Sequence, residues 1–324
     1  MTLPLLSRYT MIAAVATTAA VLYPMSVQAL PKCLFISSYH RGYAWSDGVE
    51  RGLRAVLENR CELKQFDMDT KRQKSKEYKQ KIGAEARDLV NNWQPDIVIT
   101  ADDNAAKYVI KPFFRDHKIP FVFNGVNWTA REYGFPYTNV TGMVEVAPIK
   151  PMLQRAADLA GSARGAFYLG ANTLTERKNL KRFEDGAKEL GIPLNSHLAG
   201  TLAEWGDALA KAQSYDFVIM GSNSGINDWD PDKAQDLAAQ YSRQFSTTSH
   251  GWMMPYTMFG MTKIPEEQGE WSAEAALAIL AGKSPHEIPI ISNRKWDMWV
   301  NPQLLRTAGV RLPRSLRNKA KRYQ

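Results

Sequence analysis

The sequence predicts an α/β protein made of two doubly wound parallel-sheet lobes. Short apolar runs alternate with stretches of helical periodicity along the chain, the pattern of βαβ crossovers and parallel sheets. That pattern restarts after Glu145–Pro148, which divides the 324 residues into two blocks. The residues after successive apolar runs are polar and aromatic, beyond what turns alone require.

A leader precedes the first run. Arg8 gives a positive start, Met11–Leu22 an apolar core, and Val27-Gln28-Ala29 a cleavage site. This is the layout of a secretory signal peptide over residues 1–29. The core is shorter than the ~20 residues of a membrane span, and no later stretch is long and apolar enough. The mature chain is expected to be exported and soluble.

The elements follow in order. Cys33–Ser37 is the first strand, and a helix over Asp47–Asn59 follows, with Asp47 and Glu50 at capping-box spacing. Leu63–Met68 is the second strand; the helix after it, Ser75–Asn92, carries Tyr78, Ile82, Ala86 and Leu89 on one stripe. Strand Asp96–Ala101, helix Asn104–His117, strand Pro120–Asn124 and strand Val140–Val144 complete the first block. The second block reads as helix Ile149–Ala160, strand Gly165–Leu169, helix Thr175–Leu190, strand Leu194–Ala199, helix Glu204–Ala212, strand Asp216–Met220 and helix Pro231–Phe245. From Trp252 onward, helix Glu270–Leu280, an extended run Ile288–Asn293 and helix Pro302–Ala308 are too few for a domain with its own core. This third block is expected to return and complete both sheets.

Cys33 and Cys61 are the only cysteines, and each opens one of the first two apolar runs. The first residues of neighbouring parallel strands lie about 5 Å apart, within bridging range. The oxidising compartment favours a disulfide over two buried thiols. The net charge of +8 becomes +7 without the leader. Its basic clusters, Lys71–Lys81 and Arg311–Arg322, read as solvated helix faces or a tail, and nucleic acid is not an expected partner.

In open α/β sheets, ligands bind beyond the carboxyl ends of the strands. Here those ends carry Ser37–His40, Asp102–Asn104 and Asn124–Trp128 in the first block, and Gly170–Thr173 and Gly221–Gly225 in the second. Two such edges facing each other make a cleft. Helix N-termini on its floor attract a carboxylate. Asp102 and Asp103 suit an ammonium or hydroxyl, and Tyr39, Trp45, Trp128 and Trp229 offer flat surfaces to a ring or apolar body. The expected ligand contacts are Ser38, Tyr39, His40, Trp45, Asp103, Asn104, Asn127, Trp128, Asn223, Trp229 and Tyr256. Each has a plainer use as well. Asp102, Asp103 or Asn104 suits a helix cap, Asn172 and Asn223 suit turns, and Trp45 and Trp128 suit a core. Repetition at several strand ends is what favours a site.

The stretches SSYHRGYAWSDG (Ser37–Gly48), DDNAAKYV (Asp102–Val109), FNGVNWTAREYGFPYTNVTGMVE (Phe123–Glu145) and EEQGEW (Glu266–Trp271) resemble a set of ABC-transporter solute-binding proteins. The best-known members of that set bind tryptophan or tyrosine. The resemblance covers nearly the whole mature chain. It implies a type I periplasmic-binding fold, with two Rossmann-like lobes joined by three crossovers and a ligand clamped by hinge closure. By the match, the crossovers fall at Asn139–Glu145 and near Trp252–Met254 and Trp296–Val300. Lobe 1 is then residues 30–146 plus 253–297, and lobe 2 residues 147–252 plus 298–324. Closure is expected to bring Asn223 and Trp229 over the ligand. Leu30-Pro31-Lys32 before Cys33 lacks the small residues of a lipoprotein site, which favours a free periplasmic protein.

The expected function is capture of a small, amino-acid-like solute and its delivery to an inner-membrane ABC importer permease. The alternative output is a sensor kinase or chemoreceptor that docks the ligand-bound form. No cofactor or enzymatic activity is expected. The five histidines show no metal spacing, no nucleophile elbow occurs, and no glycine-rich fingerprint follows the first strand.

Overall fold

A computed structural model describes residues 29–324; the expected leader lies outside the described residues except for Ala29. The first lobe opens with β1 (Lys32–Ser37), α1 (Ala44–Leu57), β2 (Glu62–Asp67), α2 (Lys76–Trp93) and β3 (Ile97–Ala101). Next come α3 (Asp102–Ala105), a π turn at Ala106–Ile110, α4 (Lys111–Phe113), β4 (Phe121–Asn127) and β5 (Val140–Glu145). Helices cover both faces of a parallel sheet, so its inner strands must be apolar throughout. Accordingly β3 is buried at every position, while the edge strand β2 is partly exposed.

The second lobe contains α5 (Ile149–Ala160), β6 (Ala166–Ala171), α6 (Leu174–Glu189), β7 (Leu194–Ala199), α7 (Leu202–Ala212), β8 (Phe217–Met220), α8 (Pro231–Tyr241), β9 (Phe245–Thr248) and β10 (Phe259–Lys263). The chain then returns with α9 (Pro265–Leu280) and β11 (Ile291–Ser292). It ends in the second lobe with β12 (Trp296–Val300), α10 (Pro302–Thr307), α11 (Arg314–Lys319) and β13 (Lys321–Arg322). The sheet orders are β2-β1-β3-β4-β5-β11 and β7-β6-β8-β9-β10-β12-β13. All pairings are parallel except β10 with β12. The third block does complete both sheets.

α9 docks on α1 through glycines. A Cβ on Gly52 would lie 2.2 Å from the Glu266 carbonyl oxygen, and one on Gly269 2.0 Å from that of Val49. Only residues without a Cβ permit this approach. It seats Ala273 and Ala276 in the core beside Val49 and Leu53. Cys33 and Cys61 form a disulfide between the starts of β1 and β2, with a Cα–Cα distance of 5.8 Å.

Four details differ from the sequence reading. α1 starts at Ala44, earlier than the capping box implied; Asp47 caps backward onto the Gly42 N–H at 2.9 Å, and Glu50 pairs with Arg54 instead. The helix over Pro231–Phe245 ends at Tyr241, because Phe245 begins β9. Residues 253–263 belong to the second lobe: Met253 and Tyr256 lie in its core and β10 in its sheet, so the return crossing falls between Lys263 and Pro265. Trp296–Val300 is a strand of that same sheet, which moves the last crossing to between Ser292 and Trp296.

Candidate functional site

Each sheet has one place where strand order reverses: between β1 and β3 in the first lobe, and between β6 and β8 in the second. Strand order creates a crevice at such a point. A cavity of about 390 Å³ lies between the lobes, within the size range of small-molecule sites. Asp103, Asn127, Trp128 and Tyr133 line it from the first lobe. Lys178, Asn179, Arg182, His250 and Lys263 line it from the second.

On the first-lobe wall, Asp103 Oδ2 accepts from Asn127 Nδ2 at 2.6 Å and Oδ1 accepts from the Tyr133 hydroxyl at 2.7 Å. A carboxylate has about four lone-pair sites, so the held Asp103 can still accept from a ligand. Burial, and then the hydrogen bond to Asp103, raises the Tyr133 phenol pKa, which keeps the hydroxyl a donor.

Behind this wall lies a buried acidic cluster. Asp102 is 3% exposed, with backbone φ of +68°; its Oδ1 accepts from Trp45 Nε1 at 3.2 Å and its Oδ2 has no partner. Burial, followed by the charges of Glu145 and Asp103, holds its pKa well above the usual carboxyl range. Glu145, also buried, is shifted up by burial against the pull of Lys263, its ion-pair partner.

The second-lobe wall is cationic. Arg182 stacks on the Trp128 ring at 4.1 Å, reaching across the cavity from α6. Lys263 lies 5.4 Å from the centre of the Trp45 ring. His250 stacks on Trp252 with centroids 4.4 Å apart. Burial, reinforced by the Lys263 charge, lowers its pKa to about 4, so the imidazole is neutral at pH 7. Helix N-termini are expected to attract a ligand carboxylate; at that of α6 the Thr173 hydroxyl already accepts from the Glu176 N–H at 3.2 Å. Buried Glu176 accepts from the Tyr168 hydroxyl at 2.5 Å, the Ser222 N–H at 2.7 Å and Asn179 Nδ2 at 3.1 Å.

Of the residues expected to contact ligand, Asp103, Asn127 and Trp128 line the cavity. Trp45 stands behind them, between Asp102 and Lys263. Tyr39 packs edge-on against Tyr43 at 5.3 Å, and Lys71 lies over both rings, so much of the aromatic surface of this loop is spent on itself. Ser38 is buried, its hydroxyl bonded to the Ala101 carbonyl and the Ala105 N–H. His40 faces Asp69 at 3.4 Å, and Asn104 donates to Thr70. Asn223 accepts a turn bond from the Ile226 N–H. Trp229 and Tyr256 pack edge-to-face at 5.1 Å beside Trp205 in the second lobe, away from the cavity lining. Among the described residues no group of three or more His, Cys, Asp or Glu converges to hold a metal.

No protein-family model and no curated protein sequence matches the chain. Solved structures do. The ligand-free, open structure of a substrate-binding protein with adhesive properties from Clostridium difficile aligns with a TM-score of 0.74 and 14% identity, over 91% of this chain and 99% of that one. An ABC domain from Streptococcus pneumonia in complex with L-Trp gives 0.57 and 13%, over 90% and 99%. A periplasmic ribose ABC transporter from Conexibacter woesei gives 0.58 and 12%, over 90% and 99%. At 12–14% identity what is shared is architecture, and the architecture of this chain is the type I periplasmic-binding fold.

Proposed function

We propose that this chain is an exported solute-binding protein that captures a small zwitterion, an amino acid with an aromatic or apolar side chain, and hands it to an ABC importer. The observation that carries this reading is the opposite charge of the two cavity walls. Asp103 stands on one wall, and Lys178 and Arg182 on the other, beside Lys263, whose ammonium is already paired with Glu145. An ammonium on Asp103 and a carboxylate on the cations satisfy both walls at once, and closing the lobes removes water from both ion pairs. The Trp128 ring, now covered by Arg182, supplies the flat surface for a side chain. The ligand's carboxylate goes to side-chain cations, since the Thr173 hydroxyl already takes the Glu176 N–H in the first turn of α6.

The test is the melting temperature of the mature protein against amino acids, sugars, nucleosides and organic acids. A ligand at ~1,000 times its dissociation constant adds about 4 kcal/mol, a shift of several degrees. The expected result is a shift with free amino acids that disappears with their N-acetylated or amidated forms and in Asp103→Asn. A shift confined to uncharged sugars would sink the reading.

A further inference from the structure

The far end of the second lobe carries a charge distribution that the cleft does not explain. The whole chain has a net charge of +8, and residues 1–29 contribute Arg8 alone. Residues 298–324 contain seven Arg and Lys and no Asp or Glu, so residues 30–297 balance to zero. The positive charge of the mature chain is therefore that of its last 27 residues.

The fold gathers part of this segment around a groove of about 820 Å³. Arg306, Arg311, Arg317 and Arg322 line it, over a floor that includes Val300 and Leu305. None of the four guanidinium groups pairs with a carboxylate among the described residues, whereas Arg51, Arg54, Arg72 and Arg164 each do. The groove is remote from the cleft. β12 runs antiparallel to β10, with Trp296 opposite Lys263 and Val300 opposite Phe259. Lys263 faces the inter-lobe cavity, so Val300 lies about 14 Å of strand away at the other end of the sheet.

Four cations around one concavity repel each other unless an anion joins them. Arginine's planar fork binds phosphoryl oxygens in pairs, and the aliphatic floor suits a ligand whose charges sit on a partly apolar body. We propose that this groove is a second ligand site, for a molecule bearing at least two phosphoryl groups, either free in solution or as the head group of a lipid.

The test measures binding of inorganic tripolyphosphate by calorimetry, and co-sedimentation with phosphatidylcholine vesicles with and without cardiolipin, at physiological ionic strength. The wild-type protein is expected to bind at least one probe, and binding is expected to fall by about tenfold or more in the combined variant Arg306→Gln, Arg311→Gln, Arg317→Gln, Arg322→Gln. Tripolyphosphate binding without binding to cardiolipin vesicles identifies a soluble polyanion; binding to cardiolipin vesicles, whether or not tripolyphosphate displaces them, identifies the lipid. A control pair on the same segment but outside the lining, Arg314→Gln with Lys319→Gln, removes charge and is expected to leave binding within about twofold, since it breaks no bidentate pair. The proposal is overturned if neither probe binds, if the four-residue variant binds as wild type does, or if the control pair weakens binding as much. In that last case the segment acts as diffuse charge without a site. Equal melting temperatures of the variants establish that they are folded.

Discussion

Glu145 and Lys263 form an ion pair between the two sheets: the carboxylate ends β5 in the first, and the ammonium ends β10 in the second. Each lies at a point where the chain leaves its lobe. The Glu145 side chain is 7% exposed, so removing its partner strands a charge away from water. Lys263→Gln is expected to cost about 3 kcal/mol, the lower end for breaking a buried pair. Adding Glu145→Gln recovers most of it. Thermal melts of the two variants check this, and the cost shrinks at acid pH, where the upshifted Glu145 takes a proton.

Asp102 sets a dependence on pH in one direction. Its folded pKa is raised above the ordinary 3.8, so its stabilising contribution is complete below pH 3.8 and is lost as pH rises. Asp102→Asn keeps an acceptor for Trp45 Nε1. It is expected to raise the melting temperature at pH 7, with the gain fading toward pH 4. A loss of stability at pH 7 would contradict the assignment.

His250 acts in the opposite direction. With a folded pKa of about 4 against an ordinary 6.5, it contributes stability in full above pH 6.5, and loses it as pH falls toward 4. His250→Gln is expected to flatten the acid side of the stability profile, and a melt series from pH 4 to pH 7 resolves it from Asp102→Asn.

Arg182 over Trp128 is a stack across the cleft, worth about 1 kcal/mol at a site of partial exposure. Arg182→Ala is expected to leave the empty protein's melting temperature within a few degrees and to weaken amino-acid binding by about tenfold or more, the loss of a charge-assisted contact. Calorimetric titration with the ligand found in the panel measures it.

The disulfide joins residues 28 apart in sequence. A loop of that size constrains the unfolded chain by about 3–4 kcal/mol. Cys33→Ala with Cys61→Ala is expected to lower the melting temperature accordingly, with no change in ligand affinity, since neither residue lies near the cavity.

Much of this was legible in the sequence because the signals are long. Cys33–Ser37, Ile97–Ala101 and the amphipathic stripe of α2 stand out against any neighbour. What the sequence hid was short. β9 has four residues with two threonines, and β10 is FGMTK, in which a glycine and a lysine interrupt the apolar run. With both strands unassigned, His250 and Lys263 were not recognisable as strand-end residues, although they line the cavity. Lys178 and Arg182 were hidden differently. They share α6 with Arg177 and Lys181, and nothing in a run of basic residues says which face meets another lobe. Trp229 and Tyr256 show the converse: their aromatic surface in a strand-end loop was needed by Trp205, in the core beneath it.

The docking of α9 on α1 has a consequence for how the protein is made. The first lobe needs residues 265–280 to cover Val49 and Leu53, yet all of β6 to β10 is synthesised before they appear. The chain therefore emerges with its first lobe open on one side while the second is still being made. Contacts of such sequence separation form late and slowly, and exposed apolar surface in the interval invites aggregation. Fragments ending before Pro265 are expected to be insoluble however completely their own strands pair, and α9 supplied as a separate peptide is the piece that rescues them.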